Sequence, residues 1–268
     1  NEEEYDFVLC EVGGTVGDIE ANPMIEAIRQ FRAERDRSGT ISVHVTLIPW
    51  INAAKELKTK PTQHSVMQLM ERGNNPDLIV CRTSHPLSDS LKDKIARYSN
   101  LKADRIIEAI DMDSIYKVPL YYANQGMMTI ISKLTLLPTF DFANLDIINE
   151  RRDKWLQLAA NIDITQQQTN FITLGIVGKY VPYDDAYKSL IESINHASWY
   201  LGKKVIIKWI NARDGVTEIL IDEVMMCNCI IIPGGFGKDG IDAKIKTIEL
   251  CRLHDIPMLG ICLVMQLM

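Results

Sequence analysis

Short apolar runs rich in β-branched residues alternate with longer helical patterns along most of the chain. This alternation is typical of βαβ units and favours an α/β fold built on mostly parallel sheets. The alternation stops in the middle of the chain, where 139–150 has no clear period and 163–170 is polar and Gln-rich. We therefore predict two α/β domains, 1–137 and 171–268, joined by a linker over 138–170.

The pattern predicts the following elements. In the first domain the strands are 7–10, 42–48, 78–81 and 105–109, and the helices are 23–37, 61–72 and 88–98. In the second domain the strands are 172–177, 205–210, 229–232 and 258–261, and the helices are 184–201, 215–224 and 240–254. The linker includes one more candidate helix, 151–161. Since a parallel sheet is usually larger, both domains are predicted to be truncated.

Composition narrows the class of protein. Hydrophobic residues make up 47% of the chain and charged residues 24%, which are globular values. The net charge of −6, with no dense Lys/Arg stripe, argues against a nucleic-acid partner. No signal pattern or long apolar stretch indicates secretion or a membrane partner. The six cysteines are scattered rather than framed as disulfide pairs, which predicts a reducing, cytoplasmic location.

Acidic residues surround a glycine turn in the stretch CEVGGTVGDIE, residues 10–20. Glu11 ends a predicted strand, and ligands of parallel sheets bind at that edge. A carboxylate there can hold Mg²⁺ beside phosphates. The glycines at 13, 14 and 17 permit a sharp turn. Asp18 and Glu20 precede a helix, where the helix dipole alone could explain them.

Two lysines occupy an unfavourable place in KTKPTQ, residues 58–63. Pro61 predicts the first turn of a helix, so Lys58 and Lys60 lie at the end that repels cations. A bound phosphate, held also by threonine hydroxyls and backbone N–H groups, would explain them. The alternative is that both lysines point into solvent. Lys94, on the next predicted helix, could add a third cation, although a lone helical lysine is usually a surface residue.

The stretch MLGICLVMQ, residues 258–266, reads as a strand, a sharp turn and the start of a helix. Cys262 at such an elbow is a candidate nucleophile. The alternative is a small buried hydrophobe. PGGFG at 233–237 also follows a strand and offers N–H groups for an oxyanion hole, best at Gly235. Cys227 and Cys229 form half a metal motif, for which core packing is the better explanation.

Several specific strings occur in one order: EVGGTVGDIE, KTKPTQHSV, DSIYKVP, GIVGKY with DAYKS, PGGFG and GICLVMQ. Together they closely resemble the CTP synthase family over nearly the whole chain, most weakly over 140–170. The resemblance implies a P-loop-like synthetase part followed by a flavodoxin-like glutaminase part. This chain corresponds to the later part of the first and the first part of the second.

The resemblance also implies an activity in pyrimidine nucleotide biosynthesis. The family makes CTP by phosphorylating O4 of UTP with ATP and displacing the phosphate with ammonia. A class I glutamine amidotransferase domain releases that ammonia from glutamine. Mg²⁺ as cofactor, GTP as an allosteric activator and a cytoplasmic homotetramer are further implied.

The resemblance assigns roles to individual positions. Glu11 matches the Mg²⁺ ligand, Cys262 the catalytic nucleophile, and Asp111 and Met112 the ATP loop. Glutamine and the oxyanion are assigned to Gly235, Leu263 and Gln266. The UTP and CTP site is assigned to Asp18, Ile19, Glu20, Lys58, Thr59, Lys60, Pro61, Thr62, Gln63 and Lys94.

The chain departs from the family in several places. Ile110 replaces a lysine, and Val264 replaces a glycine, where a β-branched residue is expected to crowd the elbow. All five histidines precede Cys262, and no G-x-x-x-x-G-K-[ST] string occurs. The isolated chain is therefore predicted to be inactive. An alternative is a nucleotide-binding fragment that co-assembles with intact subunits. A different ATP-dependent α/β ligase would require the shared strings to be coincidental.

Overall fold

The computed structural model describes residues 5, 7–35, 39–135, 145–179, 184–235 and 237–267. The chain divides into two compact units, Asn1–Trp155 (unit 1) and Leu156–Met268 (unit 2). Each unit contains its own parallel sheet with helices beside it. The predicted α/β class is therefore confirmed.

Unit 1 has five strands among its described residues: β1 Val43–Leu47, β2 Trp50–Ile51, β3 Glu56–Leu57, β4 Leu78–Thr83 and β5 Ile106–Ile110. The main sheet has the order β1-β4-β5 and is parallel throughout. Strands β2 and β3 form a small antiparallel hairpin between β1 and the next helix. The carboxyl ends of the three main strands therefore share one edge.

The helices that begin in unit 1 are α1 Asn22–Ala33, α2 Lys60–Glu71, α3 Asp89–Tyr98, α4 Val118–Asn124, α5 Met127–Thr135 and α6 Leu145–Gln166. Their starts follow from local chemistry. Pro61 lies in the first turn of α2, where a missing N–H costs little. Ser88 caps α3 by accepting the N–H of Leu91 at 3.4 Å. Helix α6 starts in unit 1 and ends in unit 2.

The core of unit 1 lies on both faces of its central strand. Ile79 and Cys81 of β4 pack in a cluster with Val66 of α2 and Ile95 of α3. On the opposite face, β4 and β5 form a second cluster with Ile130 of α5. Since β4 is covered on both sides, its sequence LIVCRT reads as an almost continuous apolar run rather than an alternation.

Unit 2 contains a four-stranded parallel sheet in the order β7-β6-β8-β9. Its strands are β6 Phe171–Gly178, β7 Lys204–Asn211, β8 Cys229–Ile232 and β9 Met258–Gly260, and its further helices are α7 Lys188–Leu201, α8 Glu218–Met225, α9 Ile241–Leu253 and α10 Leu263–Leu267. Val224 of α8 and Leu250 of α9 pack with the sheet residues Val177 and Ile232. Ile194 of α7 packs on the other face.

The remaining predicted strands form, but the predicted strand at 7–10 is wrong. Phe7, Val8 and Leu9 are exposed, and no strand in the described part of the chain pairs with them. An apolar run without a neighbouring strand leaves its backbone groups to solvent, so composition alone does not make it a strand. Helix α6 is also longer than the predicted 151–161 and replaces much of the expected irregular segment.

The domain bounds 1–137, 138–170 and 171–268 stay a prediction. The helix predicted at 23–37 ends at Ala33, and residues 36–38 lie outside the described residues. Among the helices that the structure describes, none is both long and apolar enough to cross a membrane.

Candidate functional site

Three loops of unit 2 meet at the carboxyl edge of its sheet. Because all four strands are parallel, the ends of β6, β8 and β9 lie side by side. They lead into Lys179, the glycine turn (residues 233–235) and Cys262, respectively. In open parallel sheets this edge is where ligands bind.

Cys262 lies on a left-handed turn between β9 and α10. Its φ of 58° is rare for a residue with a side chain, and its side chain is exposed. The turn is held on one side by the N–H of Ile261, which donates to Ile232 O at 3.1 Å, and on the other by Met265 N–H to Cys262 O at 3.0 Å. A left-handed non-glycine residue costs roughly 1–3 kcal/mol and is often found at functional sites.

Val264 does not crowd this elbow, so that expectation is wrong. The left-handed conformation falls on Cys262, while Val264 lies inside α10. Its side chain is fully buried and joins the core cluster that contains Val177 and Ile232. A β-branched residue is tolerated because it fills core space rather than turning the backbone.

The glycine turn touches the elbow directly. A Cβ built on Gly234 would lie 3.1 Å from Cys262 Cβ and 3.7 Å from Ile261 O, so a side chain here would press on the cysteine. This close approach places the backbone of the turn beside Cys262, where its N–H groups could serve an oxyanion. Gln266 is exposed on α10, whereas the side chain of Leu263 lies outside the described residues.

Two buried lysines stand behind the glycine turn. A Cβ on Gly235 would lie 3.6 Å from Lys244 Nζ and 3.9 Å from Lys179 Nζ. Lys244 is only 2% exposed, and its ammonium donates to Pro233 O at 3.4 Å. Burial lowers the pKa of Lys244, and the neighbouring charge of Lys179 lowers this pKa further.

Sequence reasoning missed these lysines. A usable signal exists in α9, where Lys244 shares the buried helix face with Thr247 and Cys251. These three positions are spaced i, i+3 and i+7, a spacing that normally marks a core-facing stripe. A lysine in such a stripe is expected to have a specific role, since it would otherwise be replaced by an apolar residue.

Neither histidine of unit 2 lies at this edge of the sheet. His254 follows the last residue of α9 and precedes β9, which places it at the amino edge, opposite Cys262. His196 lies within α7 and contacts Trp199. The described part of unit 2 therefore supplies the cysteine and the glycine turn without a histidine base beside them.

In unit 1, one of the predicted nucleotide residues, Thr62, fastens α2 to β1, and two others bond to each other at the start of α2. The Thr62 hydroxyl donates to Leu47 O at 3.1 Å and accepts from the Thr46 hydroxyl at 3.1 Å. Gln63 Nε2 donates to the Thr59 hydroxyl at 3.0 Å. Thr59, Thr62 and Gln63 are all buried. Their side chains therefore serve the fold, and only their backbone is placed at the carboxyl edge of β1.

The predicted cations of this region have different surroundings. Lys58 forms an exposed ion pair with Glu56 of the β2–β3 hairpin. Lys60 and Lys94 are exposed, and Pro61 is exposed in the first turn of α2. Thr59 does not cap α2 with its side chain, so the first N–H groups of the helix remain available to an anion.

The acidic segment before α1 has little regular structure. Glu11 is exposed, and the first helical residues are the short turn Ile19–Ala21. Asp18 Oδ2 accepts the N–H of Thr15 at 3.1 Å, which uses this carboxylate within its own turn. Ile19 is 85% exposed, and Glu20 is exposed beside it.

A magnesium site is not formed by these residues alone. Among the described residues, no group of three or more His, Cys, Asp and Glu side chains could hold a metal ion. Mg²⁺ usually takes one or two carboxylates together with substrate phosphates and water. One exposed carboxylate, Glu11, does not define such a site, so Mg²⁺ stays a prediction.

The predicted ATP loop follows β5 at the carboxyl edge. Asp111 N–H donates to Thr83 O at 2.9 Å, and Arg82 Nη2 contacts Asp111 Oδ1 at 3.4 Å. Both side chains are exposed. Met112 and Ile110 are half-buried on either side of Asp111. Sequence reasoning did not identify Arg82, because the order of residues along the chain does not show which side chains meet across neighbouring strands.

Comparison with known proteins decides the family. Residues 1–137 match the family described as CTP synthase N-terminus, and residues 183–268 match glutamine amidotransferase class-I. The first match covers half of the chain. The chain belongs to the CTP synthase family.

Individual CTP synthases align with almost all of the chain. The CTP synthase of Sphingopyxis alaskensis is 44% identical over 99% of this chain and 47% of that protein. The CTP synthase of Acidobacterium capsulatum is 42% identical over 97% of this chain and 46% of that protein. The chain thus spans about half the length of the CTP synthases it matches.

A solved structure also matches part of the chain. It is described as the glutaminase domain of Trypanosoma brucei CTPS with bound acivicin. The match covers 36% of this chain and 38% of that chain, with 27% identity and a TM-score of 0.34. This score is too low to support an argument about the fold.

Proposed function

We propose that the protein containing this chain aminates UTP to CTP, using ATP and ammonia released from glutamine. Family membership supports the overall reaction. The observation that carries the proposal is the exposed Cys262, held on a left-handed turn beside a glycine turn. A strained, outward nucleophile next to backbone N–H groups suits acyl transfer.

In the glutaminase half-reaction, the Cys262 thiolate attacks the side-chain amide carbon of glutamine. The carbonyl electron pair moves onto oxygen, where the N–H of Gly235 can donate to it. As this intermediate collapses, its C–N bond breaks and the departing nitrogen takes a proton from solvent, which releases ammonia and leaves a glutamyl thioester. Water then hydrolyses the thioester to glutamate and restores the thiol. Leu263 and Gln266 are proposed to contact the glutamine.

In the synthetase half-reaction, the γ-phosphoryl group of ATP passes to O4 of the uracil ring. Ammonia then attacks C4 and inorganic phosphate leaves. We assign the nucleotide phosphates to Lys58, Lys60 and Lys94 near the start of α2, and ATP to Asp111 and Met112. Asp18, Ile19 and Glu20 are assigned to the pyrimidine nucleotide. Mg²⁺ at Glu11, activation by GTP and a homotetramer belong to the same proposal.

The test separates the two half-reactions in the natural full-length protein. Cys262→Ala is expected to reduce glutamine-dependent CTP formation by at least about 10³-fold, because the nucleophile is lost. Ammonia-dependent CTP formation should stay within about twofold of wild type. Cys229→Ala, a half-buried cysteine of the same unit, is the matched control and should retain both activities.

Retention of glutamine-dependent activity in Cys262→Ala would remove the proposed nucleophile. Loss of both activities in a folded Cys262→Ala variant would contradict the division of labour between the two units. Circular dichroism of each variant shows whether the protein is folded.

Residues 1–268 alone are proposed to catalyse neither half-reaction. The described part of unit 2 supports the glutaminase part of this proposal, since His196 and His254 lie away from the carboxyl edge. CTP formation by the purified chain from UTP, ATP, Mg²⁺ and ammonium would overturn it. The intact mass of the gene product in its source cells is the companion measurement. A mass near 30.4 kDa would favour a binding role over an enzyme.

That second candidate function is nucleotide binding with co-assembly into intact synthase. The uncapped start of α2 beside Lys60 supports it. Calorimetric titration of residues 1–268 with CTP or UTP tests it directly. Binding that weakens in Lys60→Met but not in Lys133→Met would support this function, whereas no detectable binding would exclude it.

A further inference from the structure

Two buried lysines lie beside the glycine turn. Lys179 is 7% exposed and Lys244 is 2% exposed. Both ammonium groups lie within 4 Å of the position that a Gly235 Cβ would occupy. Burying two like charges close together costs free energy, and here both charges lie beside the turn that borders Cys262.

The side chain of Lys244 is hydrogen-bonded to the backbone of the turn. Its ammonium donates to Pro233 O at 3.4 Å from the buried face of α9. Pro233 begins the turn, and Gly235 is its last residue. The lysine side chains fill the space beside Gly235, since its Cβ would also lie 3.4 Å from Lys179 Cε. The pair therefore forms the back wall of the turn.

Cys262 borders the same turn one residue earlier. A Cβ on Gly234 would lie 3.9 Å from Cys262 Sγ. Consecutive Cα atoms are about 3.8 Å apart, so the thiol and the two ammonium groups lie against adjacent residues of one short segment. Because the two lysines are buried, water screens their charges less than it screens charges on the surface.

We propose that Lys244 and Lys179 are positioning residues that form a cationic wall behind the glycine turn and stabilise negative charge at Cys262. The wall acts through the turn and does not take part in bond making or proton transfer. It holds the N–H groups of the turn in place and adds a fixed positive potential behind them. The anion it favours is the thiolate and then the carbonyl oxygen that receives the electron pair.

This inference rests on the proposed nucleophilic role of Cys262, but it can fail separately. The test compares two alkylating agents of similar size that differ in charge, iodoacetate and iodoacetamide, on residues 1–268. Peptide mass spectrometry measures the rate at each cysteine. Cys10 is exposed in unit 1 and serves as an internal reference. The readout is the ratio of the iodoacetate rate to the iodoacetamide rate, which a purely structural change does not move.

Lys244→Met removes the charge and keeps a similar length. We expect it to lower the charge ratio at Cys262 by about two- to tenfold, because one positive charge near the turn is removed. The ratio at Cys10 should not change. Lys246→Met is the matched control, because Lys246 lies on the same helix but is ion-paired with Glu249 toward solvent. It should leave both ratios unchanged.

Lys179→Met is the second variant and should lower the same ratio, which keeps the test available if Lys244→Met does not fold. An unchanged ratio at Cys262 in a folded lysine variant overturns the inference. Labelling of the natural full-length protein by a chloroketone analogue of glutamine tests the proposed function independently. If that analogue labels Cys262 while the charge ratio is insensitive to both lysines, the glutaminase proposal stands and the cationic wall is wrong.

Discussion

The candidate residues of unit 1 and unit 2 contribute to folding in opposite ways. In unit 1, Thr59, Thr62 and Gln63 are buried and hydrogen-bonded. Thr62 ties α2 to the sheet, and Gln63 bonds to Thr59 at the start of the helix. In unit 2, Cys262 is exposed and holds a left-handed backbone that costs free energy. One set of residues stabilises its unit, while the other is maintained at the expense of stability. Substitutions at the two places should therefore shift stability in opposite directions.

The largest effect is expected for Thr62→Val in unit 1. Valine keeps the shape of threonine but removes its hydroxyl, which leaves Leu47 O and the Thr46 hydroxyl without their partner. Loss of these buried bonds should lower the free energy of unfolding by about 1–3 kcal/mol. Hydrogen exchange of peptides from β1 and α2 measures the loss.

Met67→Ala is the matched control for this prediction, since Met67 is 50% exposed on the same helix. It should change stability by less than about 0.5 kcal/mol. If Thr62→Val were as stable as wild type, the hydroxyl would not hold α2 to β1. The candidate residues of unit 1 could then no longer be described as stabilising.

An intermediate effect of opposite sign is expected for Cys262→Gly. Glycine adopts positive φ without strain, although it loses more backbone freedom on folding than cysteine does. The balance predicts a gain of about 0.5–1 kcal/mol in unit 2. Urea unfolding followed by hydrogen exchange in unit 2 detects the gain.

Cys262→Ala separates backbone strain from the loss of the thiol, because alanine has a Cβ and keeps the strain. It should not be stabilised as Cys262→Gly is. Equal stability of the two variants would show that the left-handed turn carries no measurable cost, and Cys262 could no longer be described as strained.

The smallest expected effect is a pH dependence of unit 1. Burial lowers the pKa of His44 below its ordinary value of 6.5, and its ring contacts the Ser65 hydroxyl at 2.9 Å. Because folding favours neutral His44, its full contribution is present above pH 6.5 and is lost as the pH falls below this value.

His44→Gln should flatten the loss of stability between neutral and mildly acidic pH, as measured by urea midpoints. His64→Gln, at an exposed position of α2, should leave the slope as in wild type. A slope unchanged by His44→Gln would assign the acid sensitivity to other groups.

Local chemistry explains what could be predicted from the sequence. Strands β4 and β8 are apolar runs covered on at least one face, and the start of α2 follows Pro61. The elbow at Cys262 was also predictable, because a strand, a turn and a helix start are all contained in nine consecutive residues. Such features depend on neighbours in the chain, which the sequence displays directly.

The rest depends on contacts between distant segments. Residues 7–10 resemble a strand in composition, but a strand also needs a partner strand. The sequence of one segment does not show whether such a partner exists. The Arg82–Asp111 contact and the two lysines at Gly235 likewise join positions far apart in the chain. The strain expected at Val264 was placed on the wrong residue, since the sequence does not say which position of a turn takes the positive φ.

The burial of Val264 has a consequence for how this site can vary. Its side chain belongs to the core, whereas the turn itself is made by the residue two positions earlier. Position 264 can therefore take other apolar residues of similar volume without changing the backbone at Cys262. In this elbow, substitution is therefore tolerated at position 264 but constrained at position 262, although only one residue separates them.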